Sequence, residues 1–157
     1  MSKPAPIWRR LLAAFIDSLI GSFLFFVPIV GGIFGLLYIL SKDAIMYRLT
    51  GYPQWKNKSI GKKLLGLKLE KKDGTNWGEG KESEGNYTVD IKTSAWRNLT
   101  LAPGRAVRII PLLGWVLGPI VGAIFKLIEL IVLTSDPEGI RLGDRLVGTI
   151  VVMDGDT

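Results

Sequence analysis

A carboxylate, Asp17, stands inside an apolar run long enough to cross a bilayer. The run follows Arg9 and Arg10 as Leu-Leu-Ala-Ala-Phe-Ile-Asp17-Ser-Leu-Ile-Gly-Ser-Phe-Leu-Phe-Phe and reaches Val27. About 20 apolar residues rising ~1.5 Å each cover the ~30 Å hydrocarbon core. A charge near the centre of such a helix costs roughly 2.5–3.5 kcal/mol on insertion scales, so it is usually paired, protonated or functional. Arg10 and Asp17 are seven residues apart, which puts them on one helix face about 10 Å apart along the axis. The chain therefore reads as an integral membrane protein that buries charge.

The remaining composition narrows the chemistry. Of 157 residues, 48% are hydrophobic, and they concentrate in 11–40 and 109–133 with a polar block between. Cysteine and histidine are both absent. That removes disulfides, thiolate catalysis and the commonest metal ligand and general base. An enzyme is not expected, and no cofactor or metal is implied. The net charge of +6 is not uniform. Lys3, Arg9 and Arg10 precede the first run, and 49–93 carries nine lysines against six acids. The connections at 28–32 and 111–115 carry no charge. The positive-inside rule puts the N-terminus and the central block on the cytoplasmic side. The basic residues then meet anionic lipid headgroups rather than nucleic acid. Because Asp17 interrupts the apolar run early and no small-residue cleavage pattern follows, the first run reads as an uncleaved span.

Four crossings in two short hairpins are predicted, with a small cytoplasmic β-sheet. The first hairpin occupies 1–48, with spans at about 9–27 and 30–48 broken by Pro28 and Gly31-Gly32. A polar block at 49–92 contains two alternating runs, Leu64–Leu69 and Tyr87–Lys92, with a turn at Asp73-Gly74 and a glycine-rich loop over 74–86. The second hairpin occupies 93–135. Its first arm, to Ile110, is interrupted by Pro103-Gly104 and is either a kinked span or an interfacial helix. Its second arm, 116–134, is a clearer span. A C-terminal run, Gly148–Met153 within 136–157, supplies a third strand. If 93–110 did not cross, that strand would lie on the far side from the sheet. Both termini are therefore expected in the cytoplasm.

In order along the chain stand Arg10-x-x-Ala13-x-x-x-Asp17, Lys42-Asp43-Ala44, Ser59-Ile-Gly61-Lys62-Lys-Leu-Leu-Gly66, Arg97-Asn98-Leu99 and Arg141-Leu-Gly143-Asp144-Arg145-Leu-Val-Gly148-Thr149. Each piece alone is weak. The ordered set resembles the RDD family of small bacterial membrane proteins, named for an arginine and two aspartates. The second aspartate falls on Asp43 or Asp144. The resemblance implies a multi-pass protein of the bacterial inner membrane, and transport, including sodium–proton antiport, has been suggested for some members. The stretch 75–90 is longer and more polar than a compact family loop.

Arg10, Asp17, Asp43, Arg97, Lys126 and Glu129 form the candidate buried charge cluster, a site for a monovalent cation or proton. For Asp17 the alternative is an ion pair with Arg10, Lys126 or Arg97 that holds helices in register. Lys126 and Glu129, at i and i+3, can pair on one helix face. Gly61, Lys62, Arg141, Asp144 and Arg145 form a candidate cytoplasmic motif. Gly61-Lys62 fails the phosphate-loop pattern and reads as a turn whose lysines meet headgroups. Asp144 between two arginines is either a gate or partner site, or a salt-bridged turn that docks the last strand. Gly31-x-x-x-Gly35 and Gly118-x-x-x-Gly122 permit close helix approach, within the chain or between copies. Two functions fit: a small ion-coupled transporter, expected as a homo-oligomer because four spans enclose little volume, or a non-catalytic scaffold or accessory subunit of a larger membrane complex.

Overall fold

The large apolar side chains point outward and the buried ones are small or charged. This inversion organises the whole computed structural model, which describes residues 4–23, 31–72, 87–110 and 112–155. On α1, Ile7–Phe23, the buried positions are Arg10, Ala13, Asp17 and Gly21. Leu11, Leu12, Phe15, Leu19 and Phe23 are exposed, Phe15 at 58%. The longest helix, α7, Leu113–Ser135, buries Gly114, Gly118, Glu129 and Leu133, while most of its leucines and isoleucines are exposed. In water such a surface would aggregate; in a bilayer it costs nothing, because lipid tails are as apolar as leucine. With 23 residues, α7 is the one helix among the described residues that is long and apolar enough to cross a membrane.

The first half of the chain differs from expectation at the second span. The helix α2, Gly31–Ser41, stops at Ser41, and Lys42-Asp43-Ala44 turns the chain into a separate helix, α3, Ile45–Thr50. Asp43 is buried and bonded through its carboxylate, so the chain bends where that residue must meet partners from later elements. The predicted break at Pro28 lies outside the described residues. A 3₁₀ turn at Pro53–Trp55 leads to α4, Ile60–Leu64, whose N-cap Ser59 accepts from the Lys62 amide. The helix α4 packs against α1.

The strand β1, Leu67–Lys71, pairs antiparallel with β2, Thr149–Met153, placing Leu69 opposite Val151. The sheet therefore joins the two ends of the polar portion, as the C-terminal run required. Beyond β2, Pro4 bridges to Val152, and the Ala5 amide donates to the Val151 carbonyl at 2.9 Å. Ala5, Ala13, Ala44, Leu67, Leu69, Val89 and Val151 form its core.

The predicted strand at Tyr87–Lys92 does not form. Asn57 takes the place of a neighbouring strand: its Nδ2 donates to the carbonyls of Leu69 (3.2 Å) and Tyr87 (2.8 Å), and its Oδ1 accepts from the Val89 amide (2.7 Å). Asp90 then caps α5, Ile91–Asn98, by accepting from the Thr93 amide. One side chain thus satisfies the backbone that alternation assigned to a ladder. The Asp73-Gly74 turn and the 74–86 loop lie outside the described residues. After α5, a 3₁₀ turn at Leu99–Leu101 and the short α6, Pro103–Val107, carry the chain to α7. The kink at Pro103-Gly104 is present, and α6 packs along α7. A final helix, α8, Leu142–Val147, precedes β2.

Candidate functional site

Three buried aspartates, each drawn from a different part of the chain, organise the polar interior. Asp17 comes from α1, Asp43 from the α2–α3 turn and Asp144 from α8, and each is 1% exposed or less. Cations and amide donors from distant elements saturate all three.

Asp17 holds α4 against α1. Its Oδ2 accepts from Lys42 Nζ (3.1 Å) and Ser59 Oγ (2.6 Å), and its Oδ1 accepts from the Gly61 amide (2.9 Å). The expected partners Arg10, Lys126 and Arg97 are not bonded to it. A lysine 25 positions away takes the role, because the turn after α2 delivers Lys42 to the α1 face that carries Asp17. Gly61 is required here sterically: a Cβ would lie 2.2 Å from the Ala13 carbonyl oxygen. The expected turn at Gly61-Lys62 is instead a short buried helix, and Lys62 is 6% exposed, so it does not meet headgroups.

Arg97 bridges the other two aspartates. Its Nη1 donates to Asp43 Oδ2 (2.5 Å) and its Nε to Asp144 Oδ1 (2.6 Å). Asp43 also accepts from Lys62 Nζ and, at 2.9 Å, from Asn98 Nδ2. Asp144 Oδ2 accepts from Arg10 Nη2 at 3.1 Å, and Arg10 Nη1 donates to the Gly139 carbonyl. Arg141 Nε lies 3.4 Å from Asp144 Oδ2 but has no well-directed hydrogen bond there, while its Nη2 donates to Asn98 Oδ1 at 3.1 Å. Asp144 is therefore a fully buried, salt-bridged hub, and it lies on α8, the short helix before the last strand, and not in a turn. Arg145 faces away and pairs with Asp136 at 2.5 Å.

The electrostatics follow from burial against pairing. Burial alone would push the Asp43 carboxyl up, but Lys62, Arg97 and Lys42 outweigh it and hold it well below the usual range. Asp144 is likewise opposed by burial and held low by Arg97, Arg141 and Arg10. Lys62 goes the other way: burial, which Asp43 only partly offsets, pushes its ammonium down to about 7.

Glu129 and Lys126 do not form the predicted i, i+3 pair. Glu129 Oε1 accepts from the Thr100 hydroxyl and, at 3.3 Å, from the Gly143 amide. Its Oε2 is buried with no hydrogen-bond partner. Lys126 is exposed and makes no ion pair among the described residues. The contacts of Glu129 with the 99–101 turn and α8 pull its carboxylate away from Lys126. Both residues line a cavity of about 310 Å³ between α1 and α7. Asp17, Arg10, Lys42, Lys62, Arg97 and Arg141 line it too. The structure thus places Arg10, Asp17, Arg97, Lys126 and Glu129 around one space, with Asp43 behind its wall, although Asp17 and Lys126 are not in contact. Lys42, Ser59 and Asn98 are further members of the site; each stands in one of the ordered family motifs, but spacing assigned none of them a partner. Among the described residues, no three His, Cys, Asp or Glu side chains converge as metal ligands.

The RDD family model matches residues 4–148, nearly the whole chain. No curated protein and no solved structure matches it. The match contains every aspartate and arginine of the buried layer, and its family together with the long apolar α7 marks a membrane protein. The chain belongs to the RDD family.

Proposed function

We propose that the protein is a small ion-coupled transporter, in its simplest form a cation/proton antiporter, working through the cavity between α1 and α7. The observation that carries this is the buried, unpartnered Oε2 of Glu129 on that cavity. A carboxylate oxygen with no partner is free to take up a proton or a monovalent cation. Asp17, whose oxygens already hold Lys42, Ser59 and Gly61, is not. Glu129 is therefore the exchanging group, and Lys126 contributes a positive charge to the same cavity. Asp17, Asp43, Arg10 and Arg97 form the frame.

The reading includes four crossings in two hairpins. The N-terminal residues, β1 and β2 pack together, so they lie on one side of any membrane. An even number of crossings must then separate residue 5 from residue 67, and residue 71 from residue 149. If α7 crosses once, the segment of α5 and α6 must cross as well. By charge, the shared side is the cytoplasm of a bacterial cell. So small a protomer would complete a pathway as a homo-oligomer.

A second role, as a non-catalytic scaffold or accessory subunit, is favoured by the saturation of all three aspartates, which makes the layer rigid. Ion-gradient-driven proton flux in proteoliposomes separates the two. The transporter predicts flux in the wild type that Glu129→Gln abolishes while leaving the unfolding midpoint in place. Absence of wild-type flux with Na⁺, K⁺ and Li⁺ would favour the scaffold.

A further inference from the structure

We propose that the mouth of the α1–α7 cavity is a binding site for one anionic phospholipid, its headgroup on Lys126 and its acyl chains against the outer faces of α1 and α7. The inference rests on the membrane reading of the chain and is independent of whether Glu129 exchanges ions.

Charge is the first observation. Six cations line the cavity: the four buried cations of the ion-pair layer, Arg141 and Lys126. They face two lining carboxylates, Asp17 and Glu129, and the two aspartates bonded behind them, Asp43 and Asp144. A positive surplus remains even with Glu129 ionised and Lys62 neutral. Part of that surplus is directed outward: Lys126 is exposed and has no ion-pair partner among the described residues. Basic pockets between membrane helices on the cytoplasmic side are suited to anionic headgroups.

Shape and depth select a lipid over a free anion. The walls of the opening are apolar, with Leu11 and Phe15 on α1 and Leu130 and Leu133 on α7. Leu11, Phe15 and Leu130 are also exposed on the outer surface, so the cavity is continuous with the lipid-facing side. A soluble phosphate would gain nothing from those walls, whereas acyl chains would follow them. Depth agrees. Glu129 bonds to the amide of Gly143 in α8, which leads directly into the sheet. Glu129 is therefore level with the polar layer, and Lys126 lies about 4.5 Å further along α7 at ~1.5 Å per residue. A lysine at that level reaches a headgroup phosphate with its stem along the apolar wall.

Native mass spectrometry of the full chain, delipidated in a neutral detergent, tests this with phosphatidylglycerol, phosphatidylcholine and glycerol phosphate as probes. The wild type is expected to retain one phosphatidylglycerol about tenfold better than phosphatidylcholine. Lys126→Gln should erase that preference, Lys126→Arg should keep it, and Arg48→Gln, on the exposed end of α3, should not change it. Equal retention of the two lipids, a preference that survives Lys126→Gln, or displacement by glycerol phosphate at equal concentration would each overturn the proposal. The tryptophan-fluorescence unfolding midpoint of every variant is measured without lipid, and loss of preference counts only where that midpoint is kept. Lys126 is exposed and unpaired, so its substitution should not disturb the fold. No gradient is applied, so the outcome does not depend on transport.

Discussion

At the scale of single residues, the ion-pair layer is unevenly vulnerable. Asp144 pairs with Arg97 and Arg10, and all three side chains are buried. Asp144→Asn leaves both guanidinium groups short of a counter-charge and should cost about 3–5 kcal/mol, read from denaturant unfolding in detergent. Glu138, in an exposed pair with Lys72, offers the contrast: Glu138→Gln should cost at most about 1 kcal/mol. The pH dependence separates carboxylates from lysine. Asp43 and Asp144 have lowered folded values, so their stabilisation is present above the ordinary value of 3.8 and is lost as pH falls below it. Lys62 has a folded value of about 7 against an ordinary 10.5. Between these two values the unfolded chain binds more protons, so stability should rise with pH across that window. Lys62→Gln should flatten the rise, measured as the unfolding midpoint from pH 6 to 10.

At the scale of elements, glycines set how closely helices approach. A Cβ on Gly104 of α6 would fall 2.3 Å from the Gly122 Cα of α7, whereas one on Gly122 would meet the Gly104 Cα at 3.5 Å, an ordinary contact. Gly104→Ala should therefore destabilise by about 1–3 kcal/mol, and Gly122→Ala should be neutral or slightly stabilising through helix propensity. Thermal unfolding of the two variants side by side checks this asymmetry, which the Gly-x-x-x-Gly spacing does not contain. That spacing identified Gly118 and Gly122 as a close-approach face; α6 as the partner emerged only in three dimensions. The alternation at Tyr87–Lys92 failed for a related reason. Alternation reports which backbone faces are apolar, but Asn57 supplied the hydrogen bonds, and nothing local to 87–92 encodes Asn57.

At the scale of the whole molecule, the two-stranded sheet ties residues 67–71 to residues 149–153, so the two strands share one side of any membrane the chain crosses. The protein has no native cysteine, so single cysteines report accessibility directly. Gln54→Cys and Asp154→Cys, both exposed, should be labelled from the same side by an impermeant maleimide, and Leu113→Cys at the start of α7 from the other. Labelling of Gln54→Cys and Asp154→Cys from opposite sides would contradict the sheet, and labelling of all three from one side would remove α7 as a crossing. The layer beneath the sheet also revises the depth of Asp17. Its bonds to Ser59 and Gly61 put it beside α4, where the polar portion meets the helices, and not at the centre of a bare span.

The amino-acid sequence alone determined that apolar helices carry buried charges, that the family motifs run in RDD order, and that Gly148–Met153 is strand-like; of the run Leu64–Leu69 only Leu67–Leu69 is strand, since Leu64 closes α4. These follow from local composition and periodicity, which a helix or strand expresses wherever it lies. Only the tertiary structure decided which cation meets which carboxylate: Lys42 on Asp17, Arg97 across Asp43 and Asp144, and, among the described residues, none on the buried Oε2 of Glu129. In a medium of low dielectric, a charge pairs with whatever opposite charge the fold brings within a few ångströms. Spacing along the chain restricts such a choice only within one helix, and every pair that holds Asp17 or Asp43 here joins different elements.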